Sequence, residues 1–212
     1  MGLSIDDLSC SRGGRLVLHG LSVALAPGSI LAVRGANGTG KSTLLRAMAG
    51  LLPSEGRMVL DGAPLDADRR AESVAYAGHL DAVRPQLSVA ENLHFWAGLL
   101  GGDPEAALDA FGLAAIADQP AQLCSAGQRR RLALARLALA PRRLWLLDEP
   151  GAALDAEGVD RLATLLRTHA ATGGLAVVAV HGALPASTAE LRLEPPEPGR
   201  SCDAFLDAGT WA

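Results

Sequence analysis

Apolar residues fall into short runs separated by helical segments, and this order predicts an α/β fold. Residues 29–35, 144–147 and 175–180 are largely apolar runs of strand length and predict buried strands. Residues 15–25 alternate loosely between apolar and polar positions and also predict a strand, and residues 57–62 predict a short strand followed by a turn. Strands that are apolar throughout are typical of a parallel sheet covered by helices.

Helical segments lie between these strands. Residues 41–52 predict a helix that begins at Lys41 and is closed by Pro53, and residues 155–171 predict an amphipathic helix. The middle of the chain, residues 81–140, is mostly helical, so we expect it to form a lobe inserted into the sheet domain. The segments predict a single domain of residues 1–194, with its core in residues 1–80 and 141–194, and a C-terminal tail of residues 195–212.

Composition narrows the functional class. The 212 residues carry a formal net charge of −4, which argues against a dedicated nucleic-acid binder, since such proteins are usually basic. The cysteines are odd in number and widely spaced: Cys10, Cys124 and Cys202. They predict a reducing environment and no zinc site. The start "MGLSIDDLSC" has no basic or apolar region typical of a signal peptide, and the longest apolar runs are too short to span a bilayer. We therefore expect contact with a membrane only through a partner.

A phosphate loop is the strongest motif in the sequence. The stretch "GANGTGKST", residues 35–43, follows a predicted strand, precedes a predicted helix and satisfies the pattern with Gly35, Gly40, Lys41 and Ser42. The glycines let backbone N–H groups wrap the phosphates of a nucleotide. We expect Lys41 to reach the terminal phosphates and the Ser42 hydroxyl to bind Mg²⁺.

Two acids complement this loop. Asp148 and Glu149 follow the apolar run of residues 144–147, so they lie at the carboxyl end of a buried strand, where open α/β sheets bind ligands. We expect Asp148 to hold Mg²⁺ through water and Glu149 to act as the general base for a hydrolytic water. The loop and the acids together predict a chain that binds a nucleotide and hydrolyses it.

A second anion site is indicated by "SAGQ", residues 125–128. Ser125 is at the expected N-cap of a helix, whose first turn carries free N–H groups and partial positive charge. Ala126 and Gly127 add almost no side-chain cover, so an anion can approach those N–H groups closely. One nucleotide on one rigid chain has little use for both this site and the phosphate loop.

From about Leu8 to His181 these motifs resemble the nucleotide-binding subunits of ABC transporters, with "SAGQ" similar to the family signature. The resemblance implies a RecA-like phosphate-loop NTPase core with a mostly parallel sheet, an N-terminal antiparallel β subdomain and an inserted α-helical subdomain. It implies a homodimer in which the signature helix of one copy caps the ATP held by the phosphate loop of the other. The helical lobe would dock integral membrane subunits, with Phe95 or Trp96 near that surface, and the chain would lie peripherally on the cytoplasmic face of the inner membrane.

Further positions follow from the same resemblance. Asp155 corresponds to an aspartate that communicates across the dimer, and His181 to a switch histidine that contacts the γ-phosphate and orients water. Arg12 replaces the aromatic residue that usually stacks on adenine, and either stacks on the base through its guanidinium or lies solvated in a loop. His79 replaces a glutamine that contacts Mg²⁺; because Mg²⁺ prefers oxygen ligands, His79 should contact the metal through water, or else the γ-phosphate or the attacking water.

ATP and Mg²⁺ are the expected ligands of the site. The expected catalytic residues are Glu149 and His181, and the expected metal ligands are Ser42 and Asp148. The expected ATP contacts are Arg12, Gly35, Ala36, Asn37, Gly38, Thr39, Gly40, Lys41, Ser42, Thr43, His79, Ser125, Ala126, Gly127, Gln128 and Asp155.

One branch of the family matches in more detail. "GH" at residues 78–79, "LSVAENL" at residues 87–93 and the "SAGQ" signature with its arginine-rich continuation resemble the ATP-binding subunit of the haem exporter used in maturation of c-type cytochromes. The alternatives are an ATPase subunit of a transporter for another substrate, a soluble ABC ATPase acting on ribosomes or DNA, and a phosphate-loop kinase. A kinase has no evident use for a second anion-binding helix start.

Overall fold

The computed structural model describes residues 1–139, 142–182, 184 and 186–195. All but the first residue of the predicted tail, Cys202 included, lies outside the described residues. In chain order the elements are β1 (Leu3–Arg12), β2 (Arg15–Leu25), β3 (Ile30–Arg34), α1 (Lys41–Met48), β4 (Glu55–Leu60), β5 (Ala63–Pro64), α2 (Ala67–Ser73), β6 (Val74–Ala77), α3 (Val89–Leu100), α4 (Pro104–Ala110), α5 (Ala126–Leu139), β7 (Leu144–Asp148), α6 (Ala156–Ala171), β8 (Leu175–Ala179) and β9 (Ala189–Arg192).

A five-stranded sheet forms the centre of the fold, with the order β6-β7-β8-β3-β9 and parallel pairing throughout. Every residue of β7 and β8 is buried, which explains why these segments are apolar throughout. Alternate residues face opposite sides of the sheet. Trp145 and Leu147 pack among helices α3 to α6, whereas Leu144 and Leu146 pack against α1 and a second sheet.

The second sheet is antiparallel and has the order β2-β1-β4-β5. Strand β2 occupies the residues that the alternating pattern predicts, Arg15–Leu25. Its partner β1 had no prediction of its own, because Asp6 and Asp7 interrupt the alternation; Asp7 adopts φ 56° at an irregularity in the pairing of β1 with β2. Arg143, just before β7, joins the two sheets by donating hydrogen bonds from Nε and Nη2 to the Asp61 carboxylate, at 2.6 and 3.1 Å.

The helices between β6 and β7 begin at clear sequence signals. Ser88 caps α3 in a reciprocal capping box with Glu91, and Asp103 caps α4, which has a proline in its first turn. The helices α3, α4 and α5 pack around a shared apolar cluster that includes Leu93, Phe111 and Leu134, all fully buried. The chain therefore carries a helical unit packed on one face of the parallel sheet.

The α/β class, with a parallel sheet, an antiparallel β sheet and helices from the middle of the chain, is confirmed. The expected end of α1 was wrong: the helix stops at Met48 rather than at Pro53. Gly50 adopts φ 74°, and the Gly50 and Leu51 N–H groups bond back to the Ala47 and Arg46 carbonyls, which closes the helix early. The short elements α2 and β9 were not predicted, because neither carries a distinct apolar pattern.

Candidate functional site

The carboxyl ends of four adjacent parallel strands carry the residues of the candidate site. The phosphate loop follows β3, Asp148 and Glu149 end or follow β7, His181 closely follows β8 and His79 closely follows β6. The register places Asp148 beside Ala179 and Ala179 beside Val33. Residues that are far apart in sequence therefore meet along one edge of the sheet.

The phosphate loop is closely packed. A Cβ at Gly35, which has φ 152°, would lie 2.5 Å from Thr39 Oγ1, and a Cβ at Gly40, which has φ 102°, would lie 3.0 Å from Val17 Cγ1. Thr39 Oγ1 donates a hydrogen bond to the Ala36 carbonyl at 3.0 Å within the loop. Both glycines are therefore required by conformation and by space.

The Lys41 ammonium is held inside this loop. Its Nζ donates hydrogen bonds to the carbonyl oxygens of Gly35 at 2.8 Å and Ala36 at 3.1 Å, and the residue is 6% exposed. A nearly buried cation whose acceptors in the described part of the chain are two neutral carbonyls strongly attracts an anion.

An open cleft of about 350 Å³ lies against the loop. The expected contacts Arg12, Asn37, Gly38, Gly40, Lys41, Ser42 and Thr43 line it together with Glu149. Val17, an apolar residue of β2 that was not predicted from sequence to belong to the site, also lines the cleft. Arg12 thus lies at the wall of the cleft rather than in a remote loop.

Ser42 and Asp148 form the polar floor of the site. Ser42 Oγ donates a hydrogen bond to Asp148 Oδ1 at 3.0 Å, and Asp148 is 3% exposed. A hydroxyl oxygen and a buried carboxylate are the donor types that Mg²⁺ prefers. The two residues therefore fit a magnesium ion chemically.

Glu149 and His181 face each other across the strand ends. His181 Nε2 donates a hydrogen bond to Glu149 Oε1 at 2.7 Å, and both side chains keep access to solvent. Glu149 has φ 48°, a left-handed conformation that costs a residue other than glycine about 1–3 kcal/mol. This conformation is held by the Glu149 N–H, which bonds to the Ala179 carbonyl of β8 at 3.0 Å.

The remaining expected contacts lie outside the cleft wall. His79 is exposed, in the loop after β6, and its imidazole has no hydrogen bond within the described residues. Ser125 and Gln128 form a reciprocal capping box at the start of α5: Ser125 Oγ accepts from Gln128 N at 3.1 Å, and Gln128 Oε1 accepts from Ser125 N at 2.7 Å. Ala126 is exposed, so the helix start is open to an incoming anion.

The signature segment is packed against the loop that carries Asp155. A Cβ at Gly127 would lie 2.9 Å from the Ala153 carbonyl oxygen, which explains the small residue at this position. Asp155 caps α6, with Oδ1 accepting from Gly158 N at 2.8 Å. The structure thus adds a local capping function to the expected role of Asp155 between subunits.

Two buried polar residues were missed from sequence. Asn92 is 1% exposed and binds the loop before α3: its Oδ1 accepts from Arg84 N, and its Nδ2 donates to three carbonyls, including that of Arg84. Arg130 is 4% exposed and donates to carbonyl groups at the ends of β6 and β7. Nothing in a run of three arginines distinguishes the buried one from its neighbours.

Perturbed pKa values lie outside the cleft. The Arg143 guanidinium, hydrogen-bonded to Asp61, lowers the pKa of that carboxyl. Burial lowers the pKa of His169, whose ring stacks on Trp145 with centroids 3.8 Å apart and an interplanar angle of 4°. Burial raises the pKa of the Cys10 thiol, which favours a structural role for that residue.

The geometry defines a phosphate-loop ATPase site with a second, open helix start, which is the arrangement of an ABC-type ATP-binding domain. In agreement, the ABC transporter family model matches residues 18–152. The chain is 51% identical over 196 residues to the cytochrome c biogenesis ATP-binding export protein CcmA of Rhodopseudomonas palustris (strain BisB18), covering 91% of this chain and 98% of that protein. It is 49% identical over 198 residues to CcmA of Bradyrhizobium diazoefficiens, with the same coverage.

Solved structures agree on the fold. An ABC transporter ATP-binding protein from Pyrococcus furiosus superposes with a TM-score of 0.79 at 22% identity, covering 90% of this chain and 96% of that chain. The chain therefore belongs to the ABC transporter family of ATP-binding proteins and, within it, groups with the CcmA proteins. It is an ABC-type ATPase. No helix in the described part of the chain is both long and apolar enough to cross a membrane.

Proposed function

We propose that this chain is the ATP-hydrolysing subunit of a haem exporter, or of a haem-chaperone release complex, in the biogenesis of c-type cytochromes. The observation that carries the assignment is its 48–51% identity, over 91% of its length, to three CcmA proteins of Rhodopseudomonas palustris. The residues of the cleft support ATP hydrolysis, and the identity of the cargo rests on the relatives.

The proposed reaction uses the residues around the cleft. Lys41 turns from the loop carbonyls toward the terminal phosphates and neutralises part of their charge. Ser42 and Asp148 would hold Mg²⁺, which supplies charge neutralisation on the phosphate oxygens when bound. Glu149 takes the proton of the attacking water, and His181, hydrogen-bonded to Glu149, holds that carboxylate in place. A general base of this kind contributes about 10²–10⁴-fold to the rate.

The open start of α5 suggests that a second copy of the chain completes the ATP site. Ser125 is exposed and lies outside the cleft wall, so the first turn of α5 best serves the ATP of a second copy of the chain. We infer a head-to-tail homodimer in which each ATP is bound by the phosphate loop of one copy and by residues 125–128 of the other. This arrangement makes ATP itself the link between the subunits.

A surface on the helical unit supports docking to integral membrane subunits on the cytoplasmic face of the inner membrane. Phe95 and Trp96 are each half-buried, in edge-to-face contact with ring centroids 5.4 Å apart. The Arg84 guanidinium lies 3.9 Å from the Phe95 ring centroid, and nearby Leu99 is 64% exposed. Aromatic, arginine and exposed leucine side chains in one patch are typical of protein interfaces.

Complementation tests the proposed cargo. In a bacterial strain that lacks its own CcmA protein, this chain is expressed together with the membrane subunits of its source, and covalently bound haem in c-type cytochromes is measured by haem staining. We expect the wild type to restore the stain. Lys41→Ala, expressed to the same level, should not, because its site cannot bind the terminal phosphates.

The outcomes separate the two parts of the proposal. A wild-type chain that hydrolyses ATP, co-purifies with integral membrane proteins and leaves cytochromes without haem would indicate a transporter for another substrate. A chain that hydrolyses ATP but co-purifies with no membrane protein in mild detergent would support a soluble ABC ATPase instead.

A further inference from the structure

Arg130 is a buried cation inside α5, two residues beyond the signature segment. Only 5% of its side chain is exposed. A buried guanidinium is costly unless its charge is compensated and its five N–H donors are bonded. Such a residue therefore needs a physical reason to be present.

All five donors of Arg130 have acceptors. Nη1 donates to the Gly78 carbonyl at 3.1 Å and to Asp81 Oδ1 at 3.0 Å, the carboxylate providing the opposite charge. Nη2 donates to the carbonyls of Asp148 at 3.1 Å and Glu149 at 2.9 Å. Nε donates to the Pro150 carbonyl at 3.3 Å.

These acceptors belong to the two segments that carry the chemistry. Gly78 directly precedes His79, and the Asp148 and Glu149 carbonyls flank the proposed base. Glu149 has the strained φ of 48°, so its peptide groups need external partners to remain in that orientation. Arg130 binds the carbonyl on each side of the Glu149 N–Cα unit.

We propose that Arg130 is a positioning residue for ATP hydrolysis, which fixes the backbone of Glu149 and holds the His79 loop beside it. The inference rests on the proposed role of Glu149 as the base. Because Arg130 is part of α5, it also joins the helix whose start meets the partner's ATP to the acid of its own chain.

Lysine cannot replace this arginine. An ammonium has three donors on one nitrogen, whereas the five acceptors here surround a planar fork of three nitrogens. In Arg130→Lys the charge remains, but at least two of the five acceptors lose their partner. The variant thus tests the geometry of the donors while the charge is preserved.

The test compares Arg130→Lys with Arg131→Lys in the full-length chain. Arg131 lies on the same helix and makes one long bond, 3.4 Å, to the Phe111 carbonyl, away from the site. We expect kcat for ATP hydrolysis to fall about tenfold or more in Arg130→Lys, since a small displacement of a catalytic group costs this much. The Kd for ATP should change less than threefold, and Arg131→Lys should match the wild type in both.

A second background separates positioning from general support of the fold. In Glu149→Gln the side chain can no longer take a proton, so its position no longer matters for that step. Adding Arg130→Lys to Glu149→Gln should lower the residual rate less than twofold. A further tenfold loss in the double variant, or a Kd that weakens as much as kcat falls, would overturn the proposal.

Asp81→Asn keeps the proposal testable if Arg130→Lys does not fold. Asp81 is partly exposed, and asparagine retains an acceptor oxygen while removing the opposite charge. We expect a smaller fall in kcat, about threefold, with the Kd for ATP unchanged; equal kcat in Asp81→Asn and wild type would count against Arg130. A wild-type chain without ATPase activity, or Glu149→Gln at full rate, would instead refute the proposed site itself.

Discussion

His79 is exposed and lies outside the cleft wall, in the loop after β6. A histidine that participates in hydrolysis makes the rate depend on pH, because its protonated and neutral forms differ in charge and in hydrogen bonding. We expect His79→Gln to retain substantial ATPase activity, because an amide oxygen suits Mg²⁺, and to flatten part of the pH profile.

His181→Gln is the matched comparison for this prediction, since His181 is also an imidazole and bonds directly to Glu149. We expect it to lose most of the activity at every pH. ATPase rates from pH 5.5 to 8 distinguish the two variants. An unchanged pH profile in His79→Gln would show that this residue does not participate in the reaction.

We expect His169 to make the stability of the fold depend on pH. Burial lowers its pKa, the nearby Arg143 charge acts in the same direction, and the Leu175 carbonyl bonded to Nε2 opposes them. The unfolded chain therefore binds the proton more tightly than the folded chain. The free energy of unfolding should have its full value above about pH 6.5, the ordinary pKa of histidine. It should fall as the pH decreases through the lowered pKa that His169 has in the folded chain.

His169→Phe keeps the stack on Trp145 and removes the titrating group. We expect urea unfolding curves of the variant to show a shallower loss of stability between pH 7 and pH 5 than those of the wild type. The same slope in both proteins would exclude His169 as a source of the acid sensitivity.

The site residues that could be predicted from sequence are those that a short local motif defines. The phosphate loop, the acids after an apolar strand and the N-cap at Ser125 are each defined within about ten residues of sequence. Arg130 could not be found this way, because its acceptors lie 18 to 52 residues away in the sequence. The partners of Asn92 lie only 4 to 8 residues away, but the sequence does not show that this asparagine is buried. Their burial depends on how the helical unit packs on the sheet.

Among the helices and strands, too, those defined by a local pattern were predicted, and those defined by long-range packing were not. The strands β7 and β8 and the helix α6 were predicted within one or two residues, because their apolar patterns and the cap of α6 define them. Strand β1 was not, because its pairing with β2 and β4 determines its structure more than its own pattern does. The end of α1 was missed because Gly50 closes the helix four residues before Pro53 could.

The start of α5 offers a test with an internal control. Ser125 and Ser88 form capping boxes with the same distances. The hydroxyl oxygen of each serine lies 3.1 Å from the backbone nitrogen three residues later, and the serine nitrogen lies 2.7 Å from the side-chain oxygen of that residue. Replacing either serine by alanine should lower the free energy of unfolding by about 1 kcal/mol. Only Ser125→Ala should weaken ATP-dependent dimerisation and hydrolysis; equal activity losses in the two variants would assign Ser125 a capping role alone.

Charged substitutions on α3 test the proposed docking surface. We expect Phe95→Glu and Trp96→Glu, separately and together, to reduce co-purification with the membrane subunits, because a carboxylate in an apolar contact is costly to desolvate. Thermal unfolding of each purified variant provides the folding control. Intact assembly with both substitutions in a folded protein would place the docking surface elsewhere.

For the whole molecule, the main prediction is dimerisation by ATP. Lys41 and Ser125 serve different nucleotides in the proposed pair, so the two copies associate through the ATP they share. We expect sedimentation to show a dimer with ATP and Mg²⁺, strongest in Glu149→Gln, where slow hydrolysis preserves the link, and a monomer with Mg²⁺ alone. Monomer under all these conditions would contradict the head-to-tail arrangement.

The strand order β6-β7-β8-β3 sets the distances between the segments that carry the site residues. Neighbouring strands lie about 4.8 Å apart, so the backbone hydrogen bonds of the sheet set the spacing of the His79 loop, the acids, His181 and the phosphate loop. One residue inserted into β7 before Asp148 would advance the acids by about 3.3 Å and turn alternate side chains to the opposite face. The reaction should therefore tolerate changes of side-chain size inside these strands far better than any change in their length.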